Sequence, residues 1–265
     1  MIRWLVQSIN DHPDLVQGHA PPGLLNPMET HRLAALQIEK RRRDWLLGRW
    51  TAKQLVQAYL AESGAVGHPA VGHPLESLII ENDADGAPFA AQDTGSESGS
   101  ALKRLGVSLS ISHANQRALC ALHPSQSGNE LSSVGADIEW IETRSERFIE
   151  DFFTADEIDC VRSATPALRD IYITAIWSAK ESVLKAVRTG LRVDTRSVGI
   201  DLCLDSVRLD DLATRWQPLG IQIGAQLGQH VSGATSFSGW WRLLNGGSDR
   251  PEYVMTLAIK QDLAS

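Results

Sequence analysis

Val134-Gly-Ala-Asp137-Ile-Glu139-Trp-Ile141 is the stretch that decides how the second half of the chain folds. Successive side chains of a β-strand point to opposite faces of the sheet. Asp137 and Glu139 therefore share one face, and the apolar residues that alternate with them share the other. The pattern predicts a strand over 134–141, with the Cα atoms of the two acids about 6.6 Å apart.

Helical and strand-like segments alternate irregularly on both sides of this strand. Helices are predicted at 26–61, with an interruption near 40–43, at 148–162, and at 165–190, between Pro166 and Gly190. Strands are predicted at 1–9, 78–81, 108–113, 117–122, 198–204, 222–227, 239–244 and 253–259, and polar loops at 90–100 and 125–133. Because regular βαβ alternation is lacking, the order predicts an α+β fold with helices packed on a largely antiparallel sheet.

The bulk composition is that of an ordinary globular protein. Its 265 residues are 43% apolar and 22% charged, and the formal net charge is -7. This charge gives the whole molecule no electrostatic reason to bind nucleic acid or an anionic membrane. Three widely spaced cysteines, no leader-like start and no apolar run of about 20 residues favour a cytoplasmic protein without a membrane span.

Two tandem pentads, Val66-Gly-His-Pro-Ala and Val71-Gly-His-Pro-Leu, stand in a Gly/Pro-rich region. Their histidines, His68 and His73, fit either a metal site or a turn-rich linker. The turn residues favour the linker.

Asp137 and Glu139 allow two interpretations. Neighbouring carboxylates repel each other unless protons or a cation lie between them. Magnesium suits such a pair, because it takes one or two carboxylates and completes its shell with water and phosphate oxygens. The alternative is an exposed acidic strand face.

The predicted helix carries Trp177-Ser-Ala-Lys180-Glu181-Ser-Val-Leu-Lys185-Ala-Val-Arg188. At about 100° per residue, its four charged side chains fall within an arc of about 140°. Such a face suits coordination of a metal and neutralisation of a diphosphate. The alternative is a solvated face on which Glu181 and Lys185 form an i,i+4 ion pair.

Five motifs in order resemble those of the 4′-phosphopantetheinyl transferases. The strand is similar to their G-x-D-x-E element, and 177–191 to their W-x-x-K-E-[AS]-x-x-K…G-L element. The other three are Phe152-Phe-Thr-Ala-Asp-Glu157, Ser110-Ile-Ser-His113 and Gly86-Ala-Pro88. The chain length and 42–49 resemble the longer, monomeric, surfactin-type branch. Ala87 and Ala114 depart from the family pattern at positions that contact coenzyme A phosphates in relatives.

The resemblance implies a function and its site residues. A carrier-protein serine would attack the β-phosphate of coenzyme A, and adenosine 3′,5′-bisphosphate would leave. The implied magnesium ligands are Asp137, Glu139 and Glu181. The implied catalytic residues are Glu181, Lys185 and Lys180, and the implied contacts to coenzyme A come from His113, Arg42, Arg43, Arg49, Lys180 and Lys185.

Several of these residues also have a structural interpretation. His113 fits a structural histidine at a strand end, and the arginines fit a solvated helix face. Trp177 fits either the core or the pantetheine pocket. Thr154 and Glu157 form a capping box, which we favour over a catalytic role for Glu157.

The resemblance also implies two similar α/β subdomains, 1–132 and 133–265, with the active site in the cleft between them. The expected partners are coenzyme A and an apo acyl or peptidyl carrier protein of fatty-acid, polyketide or nonribosomal-peptide synthesis. Two alternatives remain: a magnesium-dependent nucleotide diphosphate hydrolase, and a non-catalytic module that binds coenzyme A or a carrier protein.

Overall fold

The computed structural model describes residues 1–63, 74–93, 102–125, 132–204, 209–232, 234–245 and 251–262. The chain forms two compact units, Met1–Ser125 and Gln126–Ser265. The predicted subdomain boundary at 132/133 lies seven residues from this division. His68 and His73, most of the predicted loop at 90–100 and most of that at 125–133 lie outside the described residues.

The first unit contains two three-stranded antiparallel sheets and a long helix. The sheets have the strand orders β1-β6-β5 and β2-β3-β4. The strands are β1 (Arg3–Ser8), β2 (Leu78–Asn82), β3 (Pro88–Asp93), β4 (Leu102–Arg104), β5 (Val107–Ala114) and β6 (Arg117–Pro124). The helices are α1 (Pro13–Val16), α2 (Pro27–Ala35) and α3 (Glu39–Ser63).

The second unit contains one five-stranded antiparallel sheet, in the order β7-β11-β10-β9-β8. The strands are β7 (Ser132–Trp140), β8 (Val198–Asp201), β9 (Gln217–Ile223), β10 (Thr235–Asn245) and β11 (Pro251–Asp262). The helices are α4 (Glu146–Phe152), α5 (Ala155–Ser163), α6 (Pro166–Val187), α7 (Leu209–Leu212) and α8 (Ala225–Gly228). The apolar side of α6 packs on this sheet, and its core includes Ile176, Val183 and Trp241.

The α+β class is confirmed, and most predicted elements are present. The predicted helix 148–162 is two helices, because Thr154 caps α5 in a capping box with Glu157. The break in 26–61 falls at 36–38, earlier than predicted, where Leu36 leaves the helical conformation. Strand β9 begins five residues earlier than predicted. Strand β3 extends through Asp93, so the first part of the predicted loop at 90–100 is strand.

The two units begin with one order of elements, a strand followed by three helices, and the remaining strands come after them. In the second unit the short helices α7 and α8 also lie between those later strands. Each unit also contains the same buried ion pair. Glu29 caps α2, accepts a bond from Ile80 N and pairs with Lys53 of α3. Glu157 caps α5, accepts a bond from Ile200 N and pairs with Lys180 of α6. The units are therefore similar in topology and in this detail of their packing.

A short sequence repeat accompanies the repeated ion pair. Trp50-Thr-Ala-Lys53-Gln54 on α3 corresponds to Trp177-Ser-Ala-Lys180-Glu181 on α6. At the position of the acid Glu181, the first unit has the neutral Gln54, which accepts a hydrogen bond from Gln7 Nε2 of β1 at 2.9 Å. The acidic chemistry therefore belongs to the second unit.

Candidate active site

The close approach of β7 and α6 assembles the acidic residues. At Gly135 a Cβ atom would overlap Ser182 O and come within 2.8 Å of Ala186 N. Only glycine therefore allows the helix backbone to lie this near the strand. Ser133 Oγ, on the same strand, donates to Ala186 O at 2.6 Å. The result is that the acidic face of β7 lies beside the turn of α6 that carries Glu181 and Lys185.

Asp137 is held by the lysine of the helix. Its side chain is 4% exposed, and its Oδ1 atom accepts a hydrogen bond from Lys185 Nζ at 2.6 Å. Lys185 also donates to Ala136 O at 3.2 Å. The ion pair thus joins β7 to α6 within the second unit.

Glu139 is held by an indole and a guanidinium. Trp177 Nε1 donates to Glu139 Oε1 at 3.2 Å, and Arg144 Nη2 lies 3.7 Å from Glu139 Oε2. Phe148 and Phe152 pack edge-on against the Trp177 ring, with ring centroids 5.1 and 5.2 Å away. This packing leaves the indole little freedom, so the orientation of Glu139 is defined by Trp177 and Arg144.

Glu181 differs from the other two acids. It makes no hydrogen bond or ion pair with any residue that the structure describes, although its charge interacts with Asp137 and Lys185. It lies one helical turn before Lys185, on the side of α6 that faces β7. Its carboxylate is therefore the one of the three that a substrate or a proton can reach without breaking an existing contact.

The charge of Asp137 perturbs both glutamates of the site. Burial, and then the charge of Asp137, raise the pKa of Glu139 to about 7. Burial and the charge of Asp137 also raise the pKa of Glu181. Negative charge on these groups is thus costly, and a cation placed among them would lower that cost.

The acids fit a magnesium ion in their chemistry. Carboxylate oxygens are the ligands that Mg²⁺ prefers, and one or two from the protein suffice when water and phosphate complete the shell. No three His, Cys, Asp or Glu side chains within the described ranges lie close enough to form a ready metal cage. The predicted ligands Asp137, Glu139 and Glu181 therefore do not form a preformed metal cage, and they would have to move to surround an ion.

Lys180 does not lie with the acids, contrary to the sequence-based expectation. It is fully buried, and its ammonium pairs with Glu157 at 2.9 Å. It also donates to Thr195 O and Val198 O. These partners use all three of its N–H donors. Lys180 therefore ties α6 to α5 and to the start of β8, and the predicted phosphate contact does not match its position.

The three arginines predicted to contact coenzyme A do not form one surface. Arg42 Nη1 donates to Leu33 O at 2.9 Å and so caps the end of α2. Arg43 pairs with Glu39 at 2.6 Å. Arg49 is 6% exposed, its guanidinium stacks 4.8 Å from the Trp45 ring, and burial lowers its pKa. Neither a solvated helix face nor a joint phosphate site describes this arrangement.

His113 lies near the end of strand β5, where a strand end was predicted, and it is exposed. Its imidazole lies against Gly48 of α3, where a Cβ would overlap the ring. The hairpin that follows turns through Asn115 and Gln116, both with positive φ. Gly48 thus sets where the imidazole lies within the first unit.

Arg144 and the site role of Trp177 were missed by sequence reasoning. Arg144 lies beyond the strand and outside every motif, so no pattern pointed to it. The signal for Trp177 was its distance of three residues from Lys180 and four from Glu181, which places it on the flank of the acidic helix face. The sequence allowed Trp177 to be either a core residue or part of the pantetheine pocket. In the structure it is a partly buried core residue that also donates a hydrogen bond to Glu139.

Comparisons with known proteins concern the segment of the chain that carries these acids. Residues 133–230 match the family model of the 4′-phosphopantetheinyl transferase superfamily. This segment contains the strand β7 and the helix α6 with all three acids. The match covers well under half of this chain, and it agrees with the resemblance of the motifs to that superfamily.

Particular relatives are similar over part of the chain. The 4′-phosphopantetheinyl transferase gsp of Aneurinibacillus migulanus is 26% identical over 130 residues, which are 48% of this chain and 46% of that protein. The chain thus matches about half the length of this curated relative.

Two solved structures are similar at lower identity. The apo-ACPS structure of Chronobacterium ammoiniagenes is 20% identical, with a TM-score of 0.34 over 48% of this chain and 97% of that one. The holo-acyl-carrier-protein synthase of Thermotoga maritima is 15% identical, with a TM-score of 0.32 over 58% and 74%. Separately, no helix in the described part of the chain is long and apolar enough to cross a membrane.

Proposed function

We propose that this protein transfers the 4′-phosphopantetheine group of coenzyme A to a serine of an apo acyl or peptidyl carrier protein. The observation that carries the proposal is the cluster of Asp137, Glu139 and Glu181 at the contact of β7 with α6. This cluster lies in the segment that matches the transferase superfamily. Transfer of a phosphoryl group depends chiefly on positioning and on neutralising charge, which such a cluster supplies when it holds a cation.

The bond changes define what the residues must do. The serine Oγ forms a bond to the β-phosphorus while the bond from that phosphorus to the bridging oxygen breaks. The electron pair leaves with adenosine 3′,5′-bisphosphate, and the serine proton passes to a base. Glu181 is the proposed base, because its pKa is raised towards neutrality and no hydrogen bond to a described residue holds it.

The remaining site residues bind and orient. Asp137 and Glu139 would hold magnesium together with Glu181, and the ion when bound neutralises charge on the diphosphate. Lys185 lies beside Asp137 with a partly exposed side chain and is the lysine that we assign to the phosphates. Trp177 and Arg144 hold the carboxylate of Glu139 in place.

Contacts to the rest of coenzyme A are assigned by resemblance. We propose that His113 and Arg43 contact its phosphates, since His113 is exposed and Arg43 is partly exposed. For Arg42 and Arg49 to contact these phosphates, Arg42 would have to leave Leu33 O and Arg49 would have to leave the Trp45 ring. We further propose a monomeric cytoplasmic protein that acts on carrier proteins and not on nucleic acid or membranes.

The test is to incubate the protein with coenzyme A, Mg²⁺ and apo carrier proteins from fatty-acid, polyketide and nonribosomal-peptide synthesis. Intact-mass spectrometry should show one phosphopantetheine added to at least one carrier. Asp137→Ala should abolish transfer while the far-UV circular dichroism stays native, because its ion-pair partner Lys185 is 27% exposed and can turn to solvent once the carboxylate is removed.

The other outcomes identify the alternatives. Release of adenosine 3′,5′-bisphosphate without a carrier would indicate the diphosphate hydrolase. Binding of coenzyme A or carrier without any product would indicate the binding module. An unmodified mass for every carrier would reject the transferase proposal.

A further inference from the structure

Lys185 occupies one oxygen, Oδ1, of the Asp137 carboxylate that would be a metal ligand. Its Nζ atom lies 2.6 Å from Asp137 Oδ1, and the side chains of Lys185 and Asp137 are 27% and 4% exposed. The second bond of the ammonium goes to Ala136 O, on the same strand. A single positive charge thus lies at the buried end of the acidic cluster.

We propose that the Lys185 ammonium and a divalent cation compete for Asp137. Lys185 is then a positioning residue with two partners: Asp137 before the cation binds, and the anionic group of the substrate afterwards. The second partner rests on the proposed function, whereas the competition itself concerns only the cation and this chain.

Electrostatics requires the competition. A cation on Asp137 would lie within a few ångströms of the ammonium, and both positive charges are partly shielded from water. At 5–6 Å the repulsion of such a pair is enough, even at the dielectric constant of water, to weaken cation binding about tenfold. The lysine side chain is a flexible stem of four carbons, so it can move from the carboxylate and remain near the site.

The other cation of the site is held in a different way. Arg144 lies 3.7 Å from Glu139 but 2.9 Å from Glu142, and its guanidinium stacks on Phe148 at 5.1 Å. Its strongest contacts are therefore outside the acidic cluster. A cation that binds among the three acids would displace Lys185 first, since Lys185 bonds directly to one of them.

The experiment measures cation binding to the full chain without coenzyme A or carrier. Mn²⁺ and Mg²⁺ are titrated by isothermal calorimetry into wild type, Lys185→Met and Lys185→Gln. Removing the competing charge should tighten the dissociation constant about tenfold in both variants. Lys185→Arg keeps the charge and should bind the cation about as weakly as wild type.

Lys260→Met is the matched control. Lys260 also forms a lysine–aspartate pair in the second unit, with Asp262 at 2.5 Å, so the variant removes the same charge and the same kind of contact. Its dissociation constant should stay near that of wild type. Equal tightening in Lys260→Met would show an effect of net charge and would overturn the proposal.

The remaining outcomes also decide the matter. Unchanged or weaker binding in Lys185→Met and Lys185→Gln overturns the competition, as does the absence of cation binding in all variants. The carrier-mass assay tests the proposed function, and its result does not depend on the cation titrations. A protein that binds cations as predicted but modifies no carrier would contradict the proposed function and leave the competition standing.

Discussion

Gly135 of β7 lies so close to Ser182 of α6 that a methyl group on its Cα would overlap the carbonyl oxygen of Ser182. The overlap is with backbone atoms, which cannot turn aside as a side chain can. Since these two elements carry all three acids, their separation controls both the packing of the second unit and the geometry of the site.

Gly135→Ala should therefore destabilise the second unit and abolish transfer. Overpacking of this kind commonly costs about 1–3 kcal/mol, and an overlap with backbone should reach or exceed the upper end. Urea unfolding followed by circular dichroism measures the change. Gly228→Ala is the control, because a Cβ there meets no atom within 4 Å. Equal stability of the two variants would contradict the packing argument.

Trp177→Phe should weaken cation binding, because it removes the N–H that orients Glu139 but keeps a ring against Phe148 and Phe152. Loss of such an outer partner commonly costs about 10- to 100-fold in metal affinity. Calorimetric titration with Mn²⁺ measures this effect, and the Mg²⁺ dependence of transfer should shift in the same direction.

Trp241→Phe is the matched control for the indole. Trp241 is fully buried, and its Nε1 atom has no hydrogen-bond partner among the described residues. This variant should alter stability through packing and leave the affinity for Mn²⁺ unchanged. If it weakened Mn²⁺ binding as much as Trp177→Phe, orientation of Glu139 by the indole would be refuted.

Lys180→Met should destabilise the protein, because it leaves Glu157 buried and without its partner. Breaking one side of a buried pair typically costs about 3–5 kcal/mol. Adding Glu157→Gln should recover part of this loss, since the second charge is then also removed. Urea unfolding of the single and double variants gives the coupling between the two residues.

The same cycle in the first unit, with Lys53→Met and Glu29→Gln, should give a coupling of the same sign, because the contacts are repeated there. For the stable double variant of Lys180 and Glu157, the KM for coenzyme A should remain near that of wild type. A large rise in that KM would show that Lys180 does contact a phosphate of coenzyme A, contrary to what its buried position indicates.

His123 should make the folded state sensitive to mild acid. It is 5% exposed, and burial is the main cause that lowers the pKa of its imidazole. The unfolded state therefore binds more protons than the folded state below about pH 6.5, so stability falls as the pH drops through that region. Unfolding free energies at pH 7, 6 and 5 measure this slope.

His123→Gln should flatten the slope between pH 7 and 5, whatever its effect at pH 7. The exposed His19→Gln is the control and should keep the wild-type slope. An unaltered slope in His123→Gln would show that another group is responsible for the acid sensitivity.

The sequence by itself determined the local features of the site. Strand alternation placed Asp137 and Glu139 on one face, and helical phase placed Glu181 beside Lys185, because both periodicities follow from backbone geometry. The capping box of Thr154 and Glu157 was equally readable, since it is a contact within one turn. The α+β class followed from the order of the elements.

Contacts between elements distant in sequence were decided only by the tertiary structure. Lys180 shares the charged arc of its helix with Lys185, yet the packing of α5 and β8 buries one and leaves the other at the acids. The pairing of Trp177 with Glu139, and the repeated ion pair of Glu29 with Lys53, likewise join residues more than 20 positions apart. Periodicity specifies which face of an element a residue occupies, and only tertiary packing specifies what that face meets.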